Sequence, residues 1–416
     1  MKSQLPIEAP QAPVQPEQDA ANIPLDDDLL AEIFRRLDNV ASLIRCLQVC
    51  KRFYHVIASI LRTEPFFLGF YHVPNSTSPR PRRLPQYIHT EPHFTNPNLN
   101  LVYLNSKRSN VYSMVETRSS QVLLRKMVHG PDLHFVLASP FRRSSETIEL
   151  PPRLFDARIH CLIVCSYVPW TQQPNEEYKV VVVFSDRQSG AQFTVMGFSS
   201  LTHNWTSVSH NQNGRVTFPK RAGYQEGLEP TVFASRMLYK LQNGDYILAI
   251  DPSTLLLSKI DLPVTDRSLL CYGNHFLGRT EEDNLCFFMM RKMDLFMWVY
   301  RVNNNNVGGW FLHEIVDLNG LMDPHAMGEV ATTRFSANML DQLKGFRLVT
   351  LNGFGEGSGV LILVMADWVI SYKIKSKRLE RLWYSHDWAT RVQGVYAYEM
   401  VWPPAPMLPL GGQQGA

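Results

Sequence analysis

The chain has 416 residues, of which 45% are apolar and 19% charged, with a formal net charge of +3. That length allows one large domain or two to three smaller ones, and the apolar share supports a sizeable core. Near charge balance gives no electrostatic case for broad nucleic-acid binding.

Six scattered cysteines fit a reduced intracellular protein better than a disulfide scaffold. The first twenty residues hold no apolar core of a secretory signal, and no apolar run approaches the roughly 20 residues that span a bilayer. No membrane partner is therefore expected, and the expected location is the cytoplasm, the nucleus or both. Asn75-Ser76-Thr77 and Asn204-Trp205-Thr206 match the glycosylation pattern. Without a signal they read as coincidence.

Residues 1–21 carry four prolines among Gln, Ala and Glu, which bury too little to offset ordering entropy. They are expected to be disordered. A helical block follows over residues 22–62. Asp26-Asp27-Asp28 suits an N-cap and the positive end of a helix dipole. Leu29, Leu30, Ile33, Phe34 and Leu37 then recur at helical spacing. Asp38-Asn39 interrupts, Ser42 to Leu47 reads as a second short helix, and Phe53, Val56, Ile57 and Ile60 form a third apolar stripe. Three helices in so short a block sit at the lower limit for independent folding. Their apolar stripes exceed what the block can hide, so it must dock, either on its own β domain or on another protein.

Residues 63–98 hold prolines at 65, 74, 79, 81, 85, 92 and 97, which argue against a long regular element. Phe66, Phe67, Leu68, Phe70 and Tyr71 are too apolar for a free linker, so this connector is expected to pack on a neighbouring surface.

From residue 99 to 402 the pattern is β. Segments starting at His134, Gln192, Tyr246, Leu295 and Asp367 share one form: an apolar strand, a polar turn, a second strand. A stretch from Leu101 is a sixth candidate. The starts lie roughly 50 to 70 residues apart with further strands between, the recurrence of propeller blades. About six blades are expected; a large sandwich or barrel is the alternative. Residues 403–416 read as a disordered tail.

Within the helical block, Ile23-Pro24, Leu30, Glu32-Ile33, Arg36-Leu37, Ser42-Leu43 and above all "VCKRF" (Val49 to Phe53) resemble an F-box. One departure is Phe53, where many F-boxes have Trp. "FFLGFY" (Phe66 to Tyr71) is similar to a segment that follows the F-box in many grass F-box proteins with β-rich C-terminal regions. The resemblance implies an α+β multidomain chain: a three-helix F-box, then a large all-β, propeller-like domain. It implies docking on a Skp-type adaptor, and through it a cullin, while the β domain binds an unknown target protein. Ile23, Pro24, Leu30, Ile33, Leu37, Leu43, Val49, Cys50 and Phe53 would carry adaptor contact or F-box packing. Arg35, Arg36, Arg45, Lys51 and Arg52 could form the polar rim of such an interface.

No catalytic residues, cofactor or metal are expected. Cys46 and Cys50 are spaced to share a helix face, but nothing completes a metal set. Cys161 and Cys165 in a strand would lie roughly 13 Å apart, too far for one zinc. His89 and His93 flank Pro92, which disfavours an aligning helix. "GFGEGSGV" (Gly353 to Val360) lacks the Lys-Ser/Thr of a phosphate loop and reads as a strand connection. Arg80-Pro81-Arg82-Arg83 is a small basic cluster with the look of a nuclear signal, and Lys373, Lys375, Lys377 and Arg378 read as the solvated face of a hairpin. The rival readings are a non-degradative F-box scaffold, or an enzyme or a small-molecule or carbohydrate sensor built on the β domain.

Overall fold

The computed structural model describes residues 25–37, 42–43, 46, 49–63, 66–74, 84–89, 99–104, 111–127, 133–140, 143–151, 160–169, 178–186, 192–211, 231–242, 246–264, 273–302, 308–321, 349–365, 368–384 and 392–400. The readings of residues 1–21 and 403–416, and of Ile23, Pro24 and Arg80 to Arg83, lie outside these. The chain divides into two compact units, Met1–Ile60 and Leu61–Ala416.

In the first unit, α1 spans Asp27–Arg35 and α2 spans Lys51–Thr63, running three residues into the second unit. Asp26 caps α1, its carboxylate accepting the Leu29 N–H at 2.7 Å, and Asp27 and Asp28 occupy the first turn. The helix expected over Ser42 to Leu47 falls largely outside the described residues. Ser42, Leu43 and Cys46 have helical backbone there.

The second unit is a six-bladed β-propeller. Among the described residues, five sheets have four antiparallel strands in simple up-and-down order, and one has three. The first four-stranded blade is β3 (Val111–Arg118), β4 (Gln121–Met127), β5 (Leu133–Ser139) and β6 (Ser144–Glu149). The second is β7 (His160–Pro169), β8 (Tyr178–Asp186), β9 (Gln192–Ser199) and β10 (Asn204–Asn211). The third is β11 (Val232–Ala234), β12 (Met237–Gln242), β13 (Tyr246–Ile250) and β14 (Leu257–Asp261). The fourth is β15 (His275–Arg279), β16 (Leu285–Arg291), β17 (Asp294–Val302) and β18 (Gly308–Asp317). The fifth is β19 (Val349–Gly355), β20 (Val360–Met365), β21 (Trp368–Lys373) and β22 (Arg378–Tyr384). First strands meet around the axis: β3 adjoins β7, β11 adjoins β15, β15 adjoins β19.

The sixth blade joins the two ends of the domain. β1 (Phe66–Pro74) pairs with β2 (Gln86–His89) on one side and with β23 (Val392–Met400) on the other. β23 adjoins both β19 and β3, so it is the inner strand that completes the ring. The stretch expected as an irregular connector therefore contributes two strands, and the β domain does not begin at residue 99. The physical reason is where the prolines stand: Pro65 and Pro74 bracket the strand rather than interrupt it, and Pro is tolerated at strand ends. Gly69 is required here. A Cβ on it would lie 2.2 Å from the Ile88 carbonyl oxygen and 2.6 Å from the Tyr87 hydroxyl. The candidate hairpin from Leu101 is corrected too: Leu101–Leu104 is a single 3₁₀ turn with Leu101 and Leu104 buried, and β3 starts at Val111.

Each blade is too thin to cover its own faces, so the core is a series of layers between blades. Val180, Val182 and Phe184 of the second blade pack on Phe135 and Leu137 of the first. Val181 and Val183, on the opposite face of β8, pack on Leu238, Leu248 and Ile250 of the third. The unbroken "YKVVVVF" run is thus a strand buried on both faces. Two seams carry an identical clasp. The Trp205 indole N–H donates to the Glu149 carbonyl at 2.8 Å, and the Trp310 indole donates to the Asp261 carbonyl at 2.8 Å. In both, an outer-strand tryptophan reaches the last residue of the preceding blade's outer strand.

Candidate functional site

The first unit separates its apolar residues into two sets. Leu30, Ala31, Phe34, Leu43, Val56 and Ile57 are buried. Phe34 and Phe53 meet edge to face with ring centroids 5.1 Å apart, a favourable aromatic geometry. Leu29, Ile33 and Val49 are exposed, at 52%, 46% and 67%. Leu29 and Ile33 are i, i+4 on α1, so they form one stripe, while Leu30 and Phe34 form the parallel stripe that faces inward. Leu37, Cys50 and Phe53 are intermediate. Of the expected set, then, Leu30 and Leu43 are packing residues, Ile33 and Val49 are surface residues, and Ile23 and Pro24 lie outside the described residues. Leu29 was missing from the expected set. The two interleaved i, i+4 pairs in "LLAEIF" are the signal that separates the faces.

The basic residues also divide. Arg52 donates to the Asp27 carboxylate at 2.8 Å and to the Leu25 carbonyl, tying the start of α2 to the start of α1. It is an internal strap. Arg36 pairs with Glu32 at 3.0 Å on the exposed side of α1. Cys46 and Cys50 do not share a helix: Cys50 immediately precedes α2, and its Sγ accepts the Phe53 N–H at 3.5 Å in the N-cap position. The "VC" before "KRF" is a helix start, which is why the spacing resembled a ligand pair without being one.

The propeller holds a second convergence of polar groups, unforeseen in the sequence. Arg118, at the end of β3, donates to both oxygens of Glu356 at 2.9 and 2.7 Å, to Glu116 at 3.3 Å and to the Thr231 carbonyl at 3.1 Å. Thr231 donates to Glu116 at 2.6 Å, and the Phe233 N–H donates to Glu356 at 2.9 Å. Arg279 on β15 donates to the Glu356 carbonyl at 2.7 Å. These groups come from the first, third, fourth and fifth four-stranded blades, so they bond across the propeller axis. The ring-closing blade joins beside them: Glu399 accepts the Gly357 and Ser358 N–H groups at 2.9 and 2.7 Å. Burial pushes the Glu399 carboxyl up, against those hydrogen bonds, and the nearby Glu356 adds to the rise. "GFGEGSGV" is the β19–β20 connection, as expected, and its single acid is the hub residue Glu356. The hub satisfies its own charges, and the arrangement serves closure of the ring.

The hairpin lysines are paired across a seam. Lys375 reaches Glu281 at 3.5 Å and Lys377 bonds Glu314, both acids on the preceding blade. Among the described residues no group of three or more His, Cys, Asp or Glu is placed to hold a metal.

Residues 27–67 match the family model described as F-box-like. Residues 113–405, more than half of the chain, match the model described as F-box protein AT5G49610-like, beta-propeller. The chain belongs to this family of plant F-box proteins. No curated protein matches it. Among solved structures, it is similar to a quinonprotein alcohol dehydrogenase-like protein from Bacteroides thetaiotaomicron (8% identity, TM-score 0.36, covering 76% of this chain and 75% of that one). It is also similar to TolB from Acinetobacter baumannii (9%, 0.38, 83% and 69%) and to the WD40 domain of SCAP from fission yeast (8%, 0.30, 67% and 66%). At such scores these likenesses bear on neither activity nor partner. F-box membership implies Skp-type adaptor binding in general terms.

Proposed function

We propose that this protein is a substrate-recognition subunit of a Skp–cullin–F-box ubiquitin ligase. The F-box docks on the adaptor, the adaptor links to a cullin, and the propeller binds a target protein. The subunit does no chemistry of its own. It raises the effective concentration of target at the ligase. The role belongs in the cytoplasm, the nucleus or both. The observation that carries this reading is the exposed Leu29, Ile33 and Val49 surface on an F-box unit in which Leu30, Phe34, Leu43, Val56 and Ile57 are buried. An apolar centre flanked by charged groups is what a specific interface needs.

The test is a binding titration of the purified full chain against a Skp-type adaptor. Wild type should bind. Leu29→Asp and Ile33→Asp should lose binding while keeping wild-type circular dichroism. Equal binding by wild type and both variants overturns the docking surface.

A further inference from the structure

The ring-closing blade buries a histidine on the face that packs against the fifth blade. His72 lies on β1, opposite Val395 of β23 and Gln86 of β2, and is 1% exposed. Its ring packs over Trp383 of β22, with centroids 5.1 Å apart and planes at 35°. Neither ring nitrogen has a hydrogen bond that satisfies normal geometry. Phe70, Val395 and Ala397 make up the cluster at this face, with Val360, Ile362, Val369 and Trp383 from the fifth blade. Among the described residues, Glu399, Glu380 and Arg381 on the surrounding elements are engaged elsewhere. Glu399 of β23 is held by Gly357 and Ser358, Glu380 of β22 pairs with Lys373 of β21, and Arg381 sits over the Trp368 ring.

We propose that His72 is a proton-operated release for the ring: protonating it parts β1 from β23 before any other blade loosens. An imidazolium at this position would lose its hydration and gain no anion among the described residues. Burial already holds the His72 pKa below the ordinary 6.5, with Gln86 partly offsetting it. The closed seam therefore binds the neutral ring, and the parted strand, with an ordinary imidazole, takes up the proton. The direction follows: closure is at full strength above 6.5 and weakens as pH falls from there toward the lower value of the closed seam. One proton taken up on opening shifts the equilibrium by up to about tenfold per pH unit within that window. β1 is also the strand by which the chain enters the propeller from the F-box side, so release at this seam frees that end of the ring.

The experiment is amide hydrogen exchange on the full-length protein between pH 7.5 and 5, normalised to intrinsic rates. Peptides 66–74 and 392–400 should lose protection by up to about tenfold per pH unit below 6.5, with peptides of β12, β13, β16 and β17 unchanged. His72→Phe and His72→Met, neutral at every pH, should abolish the loss. Methionine is unbranched and adapts to the site if phenylalanine does not fold. Loss of protection spread evenly over all blades overturns the proposal, as does absence of the loss or its persistence in either folded variant.

Discussion

Arg118 and Glu356 face each other across the propeller axis, on blades that are not neighbours, and bond through both carboxylate oxygens at 2.9 and 2.7 Å. Their side chains are 5% and 14% exposed. Removing one partner of a buried pair strands the other charge, at about 3–5 kcal/mol. Arg118→Ala should therefore cost several times what an exposed pair such as Lys373–Glu380 costs, about 0–1 kcal/mol. Arg118→Lys should recover little, because an ammonium cannot form the planar fork. Urea denaturation of Arg118→Ala, Arg118→Lys and Lys373→Ala checks the order.

The two stripes of α1 should respond in opposite ways. Phe34→Ala removes a buried ring in contact with Phe53 and should destabilise by about 3–5 kcal/mol. Ile33→Ala, on the exposed stripe, should leave stability within about 0.5 kcal/mol and weaken adaptor binding. Thermal melts beside binding isotherms separate the effects. If Ile33→Ala melts like Phe34→Ala, the division of faces is wrong.

The tryptophan clasps give a matched pair. Trp205→Phe and Trp310→Phe each keep an aromatic ring and lose one indole N–H to a carbonyl. Each should cost about 0.5–1.5 kcal/mol, and the two should add, since they sit on separate seams. Denaturation of the single and double variants tests this.

Asp251 fixes the β13–β14 turn by accepting from the N–H and hydroxyl of both Ser253 and Thr254. Burial pushes its carboxyl up, but those four hydrogen bonds outweigh it and hold the group below 3.8. A carboxyl lowered in the folded state stabilises above its unfolded value and loses that contribution as pH falls through the folded one. Asp251→Asn should thus lower the melting temperature at pH 7, and the gap from wild type should narrow below about pH 4. A gap independent of pH would refute the assignment.

Much of the propeller was legible because its hairpins repeat. The segments read from His134, Gln192, Tyr246, Leu295 and Asp367 contain the third and fourth strands of the five complete blades. Four of their turns place one non-glycine residue in the left-handed region: Arg143, His203, Leu255 and Lys377. The ring closure was hidden because β1 and β23 lie at opposite ends of the domain and no local pattern links them. Proline frequency also pointed the wrong way, where proline position mattered. The β3–β4 turn was equally obscure, since Ser119 and Ser120 both take positive φ without the usual Asn or Gly. The hub was illegible for a different reason. Arg118, Glu116 and Glu356 come together only once several blades are seated around one axis, and a lone Glu among glycines gives no hint of a partner.

Ring closure by β1 and β23 sets a timetable for synthesis. Pro74 pairs with Val392, and at about 5–20 residues per second the roughly 300 residues between them emerge over some tens of seconds. For that interval β1 has no β23 to pair with, while α1 and α2 have already left the ribosome. A nascent chain of this protein thus presents its F-box helices well before its propeller ring can close. A stop codon anywhere before residue 392 would leave that order permanent.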